Sequence, residues 1–182
     1  MAENPLGLAL LAIARNAIDA RFGFEARPFA ANPELGNPGA SFVTLTQEGR
    51  LRGCIGSLEA YRTLADDVAS NAVAAAFHDT RFAPLSRQEW ASTRIEVSLL
   101  EPSVAMGCAD EDEAVAQLRP GLDGVILTLG KRRATFLPQV WESLPDPRQF
   151  LAHLRLKAGL AADFWDDEIT LARYGVRKWK ER

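Results

Sequence analysis

Cysteine and histidine are scarce in this chain: Cys54, Cys108, His78 and His153 are the full complement among 182 residues. Two cysteines exclude a disulfide framework and any four-cysteine zinc site. A mixed Cys/His site would need all four residues to converge from separate segments, whereas zinc ligands usually come in close pairs. Neither a metal nor a cofactor is expected. Basic residues are in deficit, 21 Lys+Arg against 24 Asp+Glu, for a net charge of -3. That balance excludes a polybasic nucleic-acid binder. No apolar run approaches the ~18 residues of a membrane span. The apolar stretch Leu6–Ile13 follows Glu3 rather than a basic segment, and Arg15, Asn16 and Asp19 continue a helical period. It reads as a helix and not as a signal peptide, which makes the cytoplasm the default compartment. The phosphate-binding Gly-Lys-Ser/Thr loop, Gly-x-Gly-x-x-Gly, His-Glu-x-x-His and Gly-x-Ser-x-Gly are all missing.

What is present is the composition of a soluble globular domain, 47% hydrophobic and 25% charged. A chain of this length buries roughly 70% of its unfolded surface and needs no staple. The spacing predicts helices over Pro5–Arg21, capped by Asn4, and over Thr63–Phe77, capped by Thr63 with Asp66 and Asp67 in its first turn. The second is so rich in small apolar residues that it should be covered on more than one side. Strands are predicted over Ser41–Thr46 and Arg50–Leu58, joined at Glu48-Gly49, and over Arg94–Leu100. In the last, Ile95, Val97 and Leu99 face one way and Arg94, Glu96 and Ser98 the other. A short helix near Ser86–Trp90, an acidic helix over Asp110–Leu118 and a hairpin over Gly124–Leu129 and Arg132–Leu137 come next. Helices near Pro138–Ser143 and Pro147–Ala158, a strand over Glu168–Tyr174 and a docked tail at Trp179 complete the reading. Hairpins among helices favour an α+β fold, mainly an antiparallel sheet flanked by helices, with a smaller lobe around residues 110–160. The four tryptophans are scattered singly and read as packing anchors.

Three groups of residues carry the chemistry. In Leu51-Arg52-Gly53-Cys54-Ile55-Gly56-Ser57, an extended strand puts Arg52, Cys54 and Gly56 on one face. An arginine beside a cysteine favours a thiolate, and Gly53 and Gly56 leave room for a ligand. The competing reading is a buried structural cysteine: a tight turn sets Val43 and Leu45 opposite Cys54 and Arg52 on a packed face. In Phe77-His78-Asp79-Thr80-Arg81-Phe82, His78 is a candidate base for Cys54 and Arg81 a candidate anion holder. Alternatively, His78 suits a helix C-terminus while Asp79 and Arg81 fix the turn after it. Third, Glu96 and Ser98 line a cleft beside Arg52 and Cys54 if their strands are neighbours and in register. An exposed sheet face has the same pattern without function.

Leu51-Arg-Gly-Cys-Ile-Gly-Ser57, Tyr61-Arg-Thr-Leu-Ala65 and Phe77-His-Asp-Thr-Arg-Phe82 together resemble the AMMECR domain family. So do Ile95-Glu-Val-Ser98, Gly121-Leu-Asp-Gly-Val125, Ala134-Thr-Phe-Leu-Pro-Gln-Val140 and Tyr174, so that the likeness spans nearly the whole chain. Within the family the sequence is most similar to the bacterial and archaeal form called protein A of the AmmeMemoRadiSam system. The resemblance implies an α+β fold with two lobes and a cleft near the Arg-Gly-Cys motif. It implies a Memo-like protein and a radical S-adenosylmethionine enzyme as companions, and a catalytic or substrate-binding role for Cys54. Thr80 and Ala83 stand where the family commonly has prolines, at the turn that carries Arg81.

The two readings of function are a thiol-dependent enzyme and a non-catalytic binding module. In the first, Cys54 is the nucleophile or covalent acceptor and Arg52 its partner, with Glu96 or His78 moving protons. Gly53, Gly56, Ser98 and Arg81 then contact the substrate. In the second, the chain presents a substrate or partner to the companion enzymes.

Overall fold

A computed structural model describes residues 4–181, so that Glu3, used above in reading the first segment, lies outside the described residues. The first helix, α1 (Pro5–Arg21), starts where expected, with the Asn4 side chain accepting from the amides of Leu6 and Gly7. It buries Leu6, Leu10, Ile13 and Ile18 on one face and stops at Gly23, whose φ of +74° is cheap only without a side chain. The hairpin β1 (Ser41–Gln47) and β2 (Arg50–Gly56) turns at Glu48-Gly49, both with positive φ, the two-residue geometry that suits a twisted ribbon. Then come α2 (Leu64–Phe77), α3 (Arg87–Trp90) and β3 (Arg94–Leu100). The remaining strands and α-helices are β4 (Val104–Met106), α4 (Glu111–Gln117), β5 (Gly124–Leu129), β6 (Arg132–Phe136), α5 (Pro147–Lys157), β7 (Thr170–Tyr174) and β8 (Val176–Lys180), with 3-10 turns at Pro33–Gly36 and, where the sequence predicts a helix, at Pro138–Glu142.

The fold is α+β, with two antiparallel four-stranded sheets of order β2-β1-β3-β8 and β4-β7-β5-β6. The chain divides into two compact units, residues 1–100 with 177–182, and residues 101–176. Two strands escaped the sequence reading. The tail around Trp179 is not merely docked: it is β8, an edge strand of the first sheet, and its indole lies over Gly7, where a Cβ has no room. Strand β4 is three residues long, too short to show an alternation.

In the first unit α2 packs on β1 and β2 while α1 packs on both α2 and β3, so the small-residue helix is covered on two sides. Its closeness to the sheet is set at Gly53, where a Cβ would run into the carbonyl of Ala75. Val43, Leu45, Ile95 and Val97 are fully buried beneath these helices. In the second unit the core gathers Val125, Leu127, Leu151 and Leu154 around Phe150, stacked on Trp141 at 3.8 Å between ring centroids.

Candidate functional site

The register of the first sheet decides which residues meet. A tight turn at Glu48-Gly49 carried on without interruption would set Val43 opposite Cys54. Instead the pairing shifts between Thr46–Leu51 and Leu45–Gly53, and Arg52 is the extra residue of a β-bulge. That corrects the sequence reading: Thr44, not Val43, faces Cys54, and Gly53, not Arg52, faces Leu45. One inserted residue turns Gly53 and Ile55 toward the helices and Cys54 toward the other side. Cys54 is therefore not on the packed face.

Thr44 also pairs with Glu96 on its far side, and Phe42 pairs with both Gly56 and Ser98. Cys54, Thr44, Glu96, Phe42 and Ser98 thus share one face, with Cys54 and Glu96 two strand spacings, about 10 Å, apart. The Thr44 hydroxyl donates to Cys54 Sγ at 3.4 Å. Ser98 is 6% exposed, whereas Cys54, Thr44 and Glu96 are half-buried. Gly56 lies under the Phe42 ring, which fills the space that a Cβ would need.

Strand β2 is an edge, so the N–H and C=O of Cys54 have no neighbouring strand. The loop after α2 supplies their partners. Asp79 Oδ2 accepts from the Cys54 amide at 2.9 Å, and Arg81 Nη2 donates to the Cys54 carbonyl at 3.2 Å. The two side chains are themselves joined twice, Nε to Oδ1 at 2.9 Å and Nη2 to Oδ2 at 2.7 Å, and the Arg81 amide adds a bond to Oδ1. The Arg81 guanidinium, helped by the Cys54 amide and opposed by burial, holds the Asp79 carboxyl well below the usual carboxylate range. Arg81 is raised in turn by Asp79. Although Thr80 and Ala83 replace prolines here, the turn is fixed by this pair.

Arg52 points elsewhere. Its Nε and Nη2 reach Glu89 Oε1 and Oε2 at 3.0 and 3.3 Å, and Nη2 also donates to the Ala83 carbonyl at 2.9 Å. Arg52 is the main cause of a Glu89 carboxyl lowered to about 2, with the Ser86 cap adding to it. The sequence expectation of an Arg52–thiolate pair gives way to an arginine that ties the bulge to α3. His78 caps α2 with its amide on the Ala74 carbonyl, is exposed, and has no side-chain hydrogen bond among the described residues. Glu96 likewise has none. Cys108 is half-buried and its thiol is pushed up by burial, then by Glu113 and Asp110.

A second polar cluster was not legible in the sequence. Asp67, fully buried, accepts from the Ser41 amide at 2.8 Å, the Ser41 and Ser57 hydroxyls at 2.6 Å each, Arg62 Nε at 2.9 Å and Asn71 Nδ2 at 2.9 Å. It locks α2 to the start of β1 and to the residue after β2. Asp66 and Asp67 both lie in the first turn of α2, as the sequence predicts, and Asp66 also meets Thr63 at the cap. Among the described residues no group of three or more His, Cys, Asp or Glu side chains is placed to hold a metal ion, and no helix is long and apolar enough to cross a membrane.

Residues 11–179 match the family model AMMECR1. The chain belongs to the AMMECR1 family. Relatives of this AMMECR1-family chain include a protein of Saccharolobus islandicus, 37% identical over 94% of this chain and 80% of its own length. One from Methanothermobacter thermautotrophicus is 36% identical over 77% of this chain and 74% of its own. Among solved structures, an uncharacterized protein from Pyrococcus horikoshii superposes with a TM-score of 0.81 at 29% identity, covering 99% of this chain and 93% of that one. The likeness extends over both sheets of the AMMECR1 fold.

Proposed function

We propose that this AMMECR1-family chain is a cytoplasmic accessory protein with a thiol site at Cys54, acting as nucleophile or covalent acceptor. One observation carries the reading. Both backbone groups of Cys54 are held by the Asp79–Arg81 pair, while its side chain stays half-exposed on the sheet face that bears Thr44, Glu96 and Ser98. A cysteine used only as core filler needs no such holding and belongs on the helix-covered side. In this reading Glu96 moves protons along the face, Ser98 and Phe42 border the substrate, and Arg52 keeps the 82–89 loop in place. The resemblance of the Arg-Gly-Cys-Ile-Gly run supplies the companions, a radical S-adenosylmethionine enzyme and a Memo-like protein.

The second reading is a binding module, and it has an observation of its own. Among the described residues no base touches the sulfur: neither His78 nor Glu96 hydrogen-bonds to Cys54, and Arg52 is paired with Glu89. The test is co-purification with the two companions followed by intact-mass measurement of Cys54 adducts. An adduct lost in Cys54→Ser supports the thiol enzyme. A complex that forms equally with Cys54→Ser and carries no adduct supports the module.

A further inference from the structure

We propose that Arg81 forms an anion subsite beside Cys54, so that the substrate of this thiol carries a carboxylate or phosphate next to its reacting carbon. The inference rests on the thiol reading above and names the class of molecule it takes. Asp79 occupies Nε and Nη2 of Arg81, and Nη2 also meets the Cys54 carbonyl. Nη1 has no acceptor among the described residues. The Arg81 side chain is 55% exposed, whereas that of Asp79 is 4% exposed. The pair is therefore turned with its negative end inward and its positive end outward, at the edge of the strand that presents the thiol.

The other arginine of the motif does not compete for this role. Arg52 is 12% exposed, lies in a two-point pair with Glu89 and donates to Ala83 as well. Phe82 contacts both guanidiniums, 5.6 Å from Arg81 Cζ and 5.7 Å from Arg52 Cζ. Glu96 opposes an anion from two strand spacings, about 10 Å, whereas Arg81 meets the Cys54 carbonyl at 3.2 Å, so the cation is the nearer charge. Cys108 provides the reverse setting within the same chain, since the charges acting on it are Glu113 and Asp110.

A pair of matched alkylating reagents tests this without knowledge of the substrate. Iodoacetate and iodoacetamide undergo the same reaction: the thiolate attacks the methylene carbon, the S–C bond forms, the C–I bond breaks and iodide leaves. Thiol ionisation and steric access cancel in the ratio of their rates, and the carboxylate charge remains. The ratio at Cys54 of the native chain, resolved by peptide mass, should exceed that of the urea-unfolded chain by on the order of threefold to tenfold at low salt. It should shrink toward the unfolded value in about 0.5 M NaCl, fall to it in Arg81→Gln, and stay high in Arg52→Gln. At Cys108 it should lie below the unfolded value. If Arg81→Gln loosens the β2 edge, both rates rise together, and the salt series on the unsubstituted chain still decides. A native ratio equal to the unfolded one, or unmoved by salt, overturns the subsite and leaves the thiol reading intact. A Cys54 inert to both reagents until unfolded overturns both.

Discussion

The two units share a plan, a four-stranded antiparallel sheet with helical cover, and differ in how far their buried polar groups tie distant elements together. In the first, Asp67 sits at 0% exposure with every neighbour donating to it. In the second, Arg155 is 2% exposed and meets Glu111 through Nη2 alone, with Nε and Nη1 unmatched. A saturated buried carboxylate fixes geometry, because each donor it holds would otherwise be stranded in a low dielectric. A partly matched guanidinium adds little of that kind beside the apolar stacking of Trp141 and Phe150. Asp67 fixes the ends of the two strands that carry Thr44 and Cys54, whereas the buried carboxylate of the second unit, Asp123, accepts from the amide, Nε and Nη2 of Arg119 four residues away and so fixes a local turn before β5.

The largest effect expected on this comparison is from Asp67→Ala. Removing one side of a buried, charge-assisted network costs about 3–5 kcal/mol. Urea unfolding should show the loss, and hydrogen exchange should confine it to α1, α2, β1 and β2. Equal loss of protection over residues 101–176 would mean that the two units unfold as one and would break the comparison. Next is Gly53→Ala. Its Cβ collides with backbone rather than with a mobile side chain, so α2 must shift, at about 1–3 kcal/mol. The same shift should alter Cys54 alkylation, which ties the helix contact to the site.

Arg155→Met should change the unfolding free energy read from urea denaturation by less than about 1 kcal/mol in either direction, since the replacement removes a poorly matched buried charge and the Glu111 left behind is 27% exposed and open to water. A loss as large as that of Asp67→Ala would show that Arg155 is as tightly integrated as the network in the first unit. The smallest effect concerns acid. Glu89 has its carboxyl lowered from 4.5 to about 2, so its pairing stabilises the folded chain fully above pH 4.5 and stops doing so as pH falls toward 2. Because Glu89 is 36% exposed, solvent screening limits the contribution to about 1 kcal/mol. The stability gap between the unsubstituted chain and Glu89→Gln should be present at pH 5 and close near pH 2. A gap that persists there would mean that Arg52 is held by the Ala83 carbonyl rather than by charge.

Much of the first unit is legible in its residues. The Asn4 and Thr63 caps, the Glu48-Gly49 turn and the alternation of Arg94–Leu100 are local devices, and each forms where the sequence predicts. The grouping of Cys54 with Glu96 on one face was also foreseen, conditional on register, and it arises by an unforeseen route. Arg52 as bulge residue is not encoded in any periodic pattern, because a strand with one inserted residue has the same alternation on either side of the insertion.

By itself the sequence determined the order and type of the elements other than β4 and β8, the absence of close-paired metal ligands and the membership in the AMMECR1 family, since these depend on neighbouring residues or on motifs read directly. Tertiary structure alone decided that Thr44 faces Cys54, that Asp79 and Arg81 close the open edge of β2, that Arg52 pairs with Glu89 and that the tail becomes β8. Each of these joins groups distant in the chain through a backbone N–H, a carbonyl or a charge. Such groups occur at almost every residue, so composition and spacing do not distinguish the one that is used. Selection comes from geometry: an edge strand with unpaired groups at Cys54, a buried carboxylate within 2.9 Å, and a one-residue slip that turns the thiol away from the core.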